Sequence, residues 1–85
     1  MPITLRAGVL QAPTEYGIAL LDEDTGRYWT LNPTAASVLR TLLAGGTHQD
    51  AARVLYTDYD TDPETAAADV LDLLDELRAA HLIEA

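Results

Sequence analysis

The sequence predicts an α+β domain in which a three-stranded antiparallel sheet is followed by three helices. Three observations carry this. Apolar residues alternate with period two early in the chain, at Ile3–Leu5–Ala7, Ile18–Leu20 and Trp29–Leu31, and recur at helical spacing afterwards. Two helix starts are written as a capping residue followed by proline, Asn32–Pro33 and Asp62–Pro63. Between them, Gly45–Gly46 followed by Thr47 stops one helix and starts another. The 85 residues form a single domain, residues 1–85, without repeats or internal linkers.

In chain order, Ile3 to Ala7 is the first strand, with Ile3, Leu5 and Ala7 on its dry face. Gly8 to Gly17 contains Pro13 and reads as a connection, in which Val9–Leu10 has strand character but no clear placement. Ile18 to Asp22 is the second strand, Glu23–Asp24–Thr25–Gly26 a four-residue hairpin loop, and Arg27 to Leu31 the third strand. Placing Asp22 opposite Arg27 sets Leu20 opposite Trp29 and Ile18 opposite Leu31. These six share the core face; Ala19, Leu21, Tyr28 and Thr30 share the other. Asp22 and Arg27 are expected to pair across the turn, worth at most about 1 kcal/mol if exposed.

The first helix runs from Pro33 to about Ala44, with Ala35, Val38, Leu39, Leu42 and Leu43 as its apolar stripe. Thr47 and Asp50 make a capping-box variant for the second, which buries Ala51, Ala52, Val54 and Leu55. The third runs from Pro63 to about Ala79, and the tail His81–Ala85 closes the chain. Ala67, Val70, Leu71, Leu74 and Leu77 form a sufficient buried stripe on the third helix. Leu73 lies off that stripe, beside Asp69, Asp72 and Glu76. It is read either as part of a wide core face or as the floor of a groove between the third helix and the third strand. Short loops make the first two helices a helix–turn–helix-like pair, and with the strands the architecture permits a winged helix–turn–helix-like fold.

Composition narrows the function. The net charge is −9, from 14 acids against five Arg and no Lys. Residues 58–85 hold nine acids and one Arg, a balance of −8, so the acidity sits in the C-terminal third. Nucleic-acid affinity rests on Lys and Arg neutralising phosphates, so no nucleic-acid partner is expected, and a basic peptide is favoured. A winged-helix DNA-binding regulator stays as an alternative on architecture alone, as does a generic protein-interaction module. There are no cysteines, hence no disulfide or thiolate site. No apolar run is long enough to span a membrane, and Met1–Pro2–Ile3–Thr4 lacks the pattern of a signal peptide, so a cytoplasmic location is expected. Asp58, Asp60, Asp62 and Asp69 are spaced like a calcium loop, but Pro63 takes the place that requires glycine. His48 and His81 have no partners suggesting a ligand set, and Ser37 is not on a nucleophile elbow. No catalytic residue, metal or cofactor is expected.

The third strand ends the meander, so one row of its N–H and C=O groups is free. Nothing between Arg27 and Leu31 blunts that edge apart from the one charge of Arg27. Such an edge beside an apolar groove suits addition of a peptide strand. If Asp22 and Arg27 form a hydrogen-bonded pair, the backbone groups of Tyr28 and Thr30 point to the free edge.

Leu31–Asn32–Pro33–Thr34–Ala35–Ala36, Leu39, Leu42, Gly45–Gly46–Thr47, Val54–Leu55, and Asp69–Val70–Leu71 through Leu77 to Leu82–Ile83–Glu84 resemble, in order and spacing, the PqqD-like family. These are the peptide chaperones, or precursor-recognition elements, of ribosomally made and modified peptides. The resemblance covers roughly residues 3–85 and is greatest to the stand-alone recognition proteins of lasso-peptide biosynthesis. It implies a non-catalytic domain that binds the precursor's leader peptide as a strand between the third strand and the third helix. It also implies delivery to a transglutaminase-like leader peptidase and to a cyclase. Carried onto this sequence, the leader-binding residues are Arg27, Tyr28, Trp29, Thr30 and Leu31 on the strand. On the helix they are Asp69, Val70, Leu73, Glu76 and Leu77.

Overall fold

The computed structural model describes residues 3–84; Met1, Pro2 and Ala85, at the two ends read above, lie outside the described residues. Its elements are β1 (Thr4–Leu5), β2 (Val9–Thr14), β3 (Gly17–Asp22), β4 (Tyr28–Leu31), α1 (Pro33–Leu43), α2 (His48–Asp58), α3 (Pro63–Ala79) and β5 (Ile83–Glu84). The main sheet has the order β2-β3-β4, all antiparallel, and a second, two-stranded ribbon pairs β1 with β5. This is the predicted α+β class, with one reassignment. The first strand of the meander is β2, not the Ile3–Ala7 segment, whose core Thr4–Leu5 instead pairs with Glu84–Ile83.

The reason is local. Gly8 adopts φ +89, and the Val9 N–H bonds the Arg6 carbonyl, so the chain turns between β1 and β2. Pro13 is tolerated inside β2 because of register. The Glu23 N–H bonds the Gly8 carbonyl, so alternation turns the Val9, Gln11 and Pro13 backbones away from β3. The missing N–H of Pro13 therefore falls on an outer edge, where it breaks no ladder bond.

The second hairpin has the expected register: Ile18 opposite Leu31, Ala19 opposite Thr30, Leu20 opposite Trp29 and Leu21 opposite Tyr28. The Asp22 N–H bonds the Arg27 carbonyl at 2.9 Å. Ile18, Leu20 and Asp22 are buried, and Trp29 and Leu31 are half-buried against the core. Gly17 is required where β3 starts, because a Cβ there would collide with the Leu31 carbonyl oxygen. Gly17→Ala is expected to push the end of β4 away and destabilise the domain by at least about 1 kcal/mol, read by chemical denaturation.

The helices start as the sequence indicates. The Asn32 side chain accepts from the Ala35 N–H, Thr47 and Asp50 form the reciprocal capping box, and the Asp62 carboxylate accepts from the Glu64 and Thr65 N–H groups. α3 ends in a Schellman turn: His81 sits at φ 58, the Leu82 N–H bonds the Leu77 carbonyl and the His81 N–H bonds that of Arg78. That turn directs Leu82 and Ile83 into the core and aligns β5 beside β1.

On α3 the buried stripe is Ala66, Val70, Leu73, Leu74 and Leu77. The sequence-based stripe is rotated from this by part of a turn: Ala67 is exposed and Leu71 is 51% exposed. α3 packs against α2, and α1 lies between α2 and the sheet. The buried face must therefore address α2 and the core together, and spacing within one helix does not contain that angle.

Candidate functional site

The two outer edges of the sheet differ. On β2, the outward donors are mostly spent or absent: the Val9 N–H is bonded to Arg6 and Pro13 has none, so only Gln11 offers both an N–H and a C=O. On β4, the hydrogen-bonded Asp22–Arg27 pair makes Trp29 and Leu31 the residues bonded to β3. Tyr28 and Thr30 then direct both N–H and C=O groups outward, and among the described residues no other backbone group bonds them. The open edge is thus a property of register, and only β4 carries a full repeat of it.

Beside the end of β4 lies a cleft of about 350 Å³. One wall is the entry to α1, with Asn32, Thr34, Ala35 and Val38; the other is α3, with Asp69, Asp72, Leu73 and Glu76; Leu55 and Thr61 complete the lining. Positions 69, 72, 73 and 76 share one helix face. The Asp69, Asp72 and Glu76 side chains are exposed, with no hydrogen bond or ion pair among the described residues, whereas Leu73 is 9% exposed. Leu73 is both core and cleft lining, so the two readings of it meet.

The expected site residues fall into three groups. Tyr28, 70% exposed, and Thr30 lie on the outer face of the sheet, with their backbones at the open edge. Trp29 and Leu31 lie on the inner face, half-buried, and Arg27 is exposed just before β4. Asp69, Leu73 and Glu76 line the cleft. Val70 at 1% and Leu77 at 2% exposure belong to the core, so they support the cleft from below rather than forming its surface. The first turn of α1, Thr34–Ala35 with Val38, was not among the expected residues. Its signal was present: a helix that begins two residues after a strand puts its first turn against the strand's end.

The Asp22–Arg27 ion pair expected from sequence does not form. Asp22 is buried and takes Arg6 instead, at 2.9 Å, while Arg6 also reaches Asp24 at 3.2 Å and donates to the His81 carbonyl. A cation from before β2 and a carbonyl after α3 thereby clamp the hairpin, which no pairing within the hairpin could reveal. Burial pushes the Asp22 carboxyl up, but the Asp24 backbone N–H and the Arg6 guanidinium outweigh it and hold it below its ordinary 3.8. Asp50 is lowered too, by the Thr47 backbone and hydroxyl. A lowered folded-state pKa means that the unfolded chain binds protons first as pH falls. The stability from Asp22 is therefore complete above about pH 4–5 and is lost as pH drops through the folded value. Denaturation midpoints measured from pH 7 to pH 2.5 are expected to fall only in the acid range, and Asp22→Asn to flatten that fall while lowering the plateau.

Among the described residues no helix is long and apolar enough to cross a membrane, and no group of His, Cys, Asp or Glu could hold a metal ion. The fold and the site define a small α+β domain with an open sheet edge beside an acid-rimmed apolar cleft. Residues 17–83 match the family described as coenzyme PQQ synthesis protein D (PqqD), and the chain belongs to that family. Over its whole length it is similar to a lasso peptide synthetase B1 complexed with the leader peptide, at 33% identity, with 100% of both chains covered and a TM-score of 0.93. It is similar to the PqqD truncation of Methylobacterium extorquens PqqCD, a stand-alone recognition element for ribosomally synthesised, modified peptides. That match has 30% identity, 98% of this chain and 88% of that one, and a TM-score of 0.75. TbiB1 in complex with the TbiA(beta) leader peptide shares the fold, at 23% identity over 95% and 94% of the chains and a TM-score of 0.85. No curated protein matches the chain.

Proposed function

We propose that this protein binds the leader segment of a ribosomally made precursor peptide, of the lasso class, as an added strand on β4. The observation that carries the proposal is the open backbone of Tyr28 and Thr30 next to the cleft walled by α3. The likeness to a lasso peptide synthetase B1 that was solved with its leader peptide supports the same reading. Main-chain bonds to Tyr28 and Thr30 hold the guest strand. Arg27, Trp29 and Leu31 meet its inward side chains from the sheet side, and Asp69, Leu73 and Glu76 meet them from α3, with Val70 and Leu77 beneath. Two apolar anchors burying roughly 150 Å² each contribute about 7 kcal/mol at 25 cal/mol per Å². Ordering a disordered leader offsets about 2–5 kcal/mol of this, and lost freedom of association offsets more.

The protein performs no reaction itself. In the cytoplasm it presents the bound precursor to a leader peptidase and a cyclase. The test is titration of a labelled leader peptide, taken from the short open reading frames flanking the gene, followed by anisotropy and thermal shift. Binding below tens of micromolar with a raised melting temperature, and a peptide mass unchanged after incubation, is expected. No binding at that concentration to any flanking leader sinks the proposal.

A further inference from the structure

Resting on that peptide-binding reading, we infer that the cleft between α1 and α3 is a specificity pocket for one basic side chain, Lys or Arg, of the guest peptide. The cleft is layered. Its floor is apolar, from Ala35, Val38 and Leu73, and its α3 rim carries Asp69, Asp72 and Glu76. An aromatic guest would leave the three rim carboxylates without a partner. A short acidic or hydroxylated guest would leave the floor bare. A long basic side chain satisfies both layers, because its alkyl stem covers the floor while its cationic head reaches the rim.

Two further observations fit this guest. No Arg of the chain occupies the cleft: Arg6 is held by Asp22 and Asp24, Arg53 lies beside Asp50, and the cleft lining contains no base. The entry of α1 does not neutralise the rim either. Pro33 has no N–H, the Ala35 N–H is taken by the Asn32 side chain and the Ala36 N–H by the Asn32 carbonyl, which leaves the Thr34 N–H as a single neutral donor against three carboxylates. The cleft also begins at Asn32, the residue that follows β4, so it receives the guest residue just past the one paired with Thr30. The basic residue therefore has a fixed place in the guest, and it sets the register of the added strand.

The experiment separates this pocket from the general attraction of an acidic protein for basic peptides. A displayed library of random 14-residue peptides is selected against the wild-type protein. It is also selected against a rim variant (Asp69→Asn, Asp72→Asn, Glu76→Gln) and a control of equal net charge (Glu15→Gln, Glu23→Gln, Asp75→Asn). The expected result is a family of peptides with Lys or Arg at one fixed position, retained by the control and lost by the rim variant. Replacing that Lys by norleucine is then expected to weaken binding to the wild type by about tenfold, and to leave binding to the rim variant within about threefold. Basic residues scattered without a fixed position, or an aromatic consensus in their place, overturn the pocket and leave peptide binding standing. Failure to enrich any peptide overturns both. Melting curves of the three proteins verify that each variant is folded.

Discussion

Thr30→Pro is expected to abolish peptide binding while leaving the domain folded, and Gln11→Pro to leave binding unchanged. Both positions are exposed strand residues whose N–H groups point away from β3. Proline is tolerated at such a place, as Pro13 already demonstrates on β2. On β4, however, the substitution removes a donor that the guest strand needs and sets a ring against its backbone. The lost bond alone is worth about 0.5–1.5 kcal/mol, and the steric block raises the total above a tenfold loss of affinity. Anisotropy titration gives the affinity and thermal melting the fold. Thr30→Pro binding as tightly as wild type, in a folded protein, would exclude β4 as the pairing edge. Trp29→Pro is the contrasting case, because it breaks a bond to Leu20 and should unfold the hairpin.

Leu74→Ala is expected to remove much of the domain's stability. Leu74 is fully buried, at 0% exposure. Truncating such a leucine typically costs about 2–5 kcal/mol, from lost transfer energy and the cavity left behind. Small domains have about 5–15 kcal/mol in total, so Leu74→Ala removes a large part of it. Leu71→Ala, on the same helix, is expected to stay within about 0.5 kcal/mol, since Leu71 is 51% exposed. Urea denaturation of the two variants decides which face of α3 is core. Equal losses would restore the stripe that spacing alone suggests.

Those two variants mark where sequence and structure part. Each helix start was legible, because a cap is a local event: Asn32, Thr47 and Asp62 act on N–H groups two or three residues away. The β3–β4 register was legible too, since the loop Glu23–Gly26 fixes its length and alternation fixes the faces. The open edge at Tyr28 and Thr30 follows from the same register. The first strand of the meander was not legible, because Pro13 argues against a strand until its partner is known to lie on the other side. The ribbon of β1 with β5 joins residues some eighty positions apart, and nothing in either segment specifies the other.

At the site the same division holds. The strand half was readable, but the cleft was not: its walls are set by the angle at which α3 lies against α1 and α2. That angle buries Val70 and Leu77, exposes Leu71, and brings Thr34 and Ala35 opposite Asp69 and Leu73. The partner of Asp22 was hidden likewise, since Arg6 lies outside the hairpin. By itself the sequence determined the elements, their caps, the hairpin register and the backbone edge, because backbone bonding and side-chain alternation act over a few residues. Only the tertiary structure decided which face of α3 is core, what Asp22 pairs with and what walls the cleft. Those depend on packing between elements distant in sequence, where burial of apolar area rewards the best joint fit rather than the pattern of any one segment.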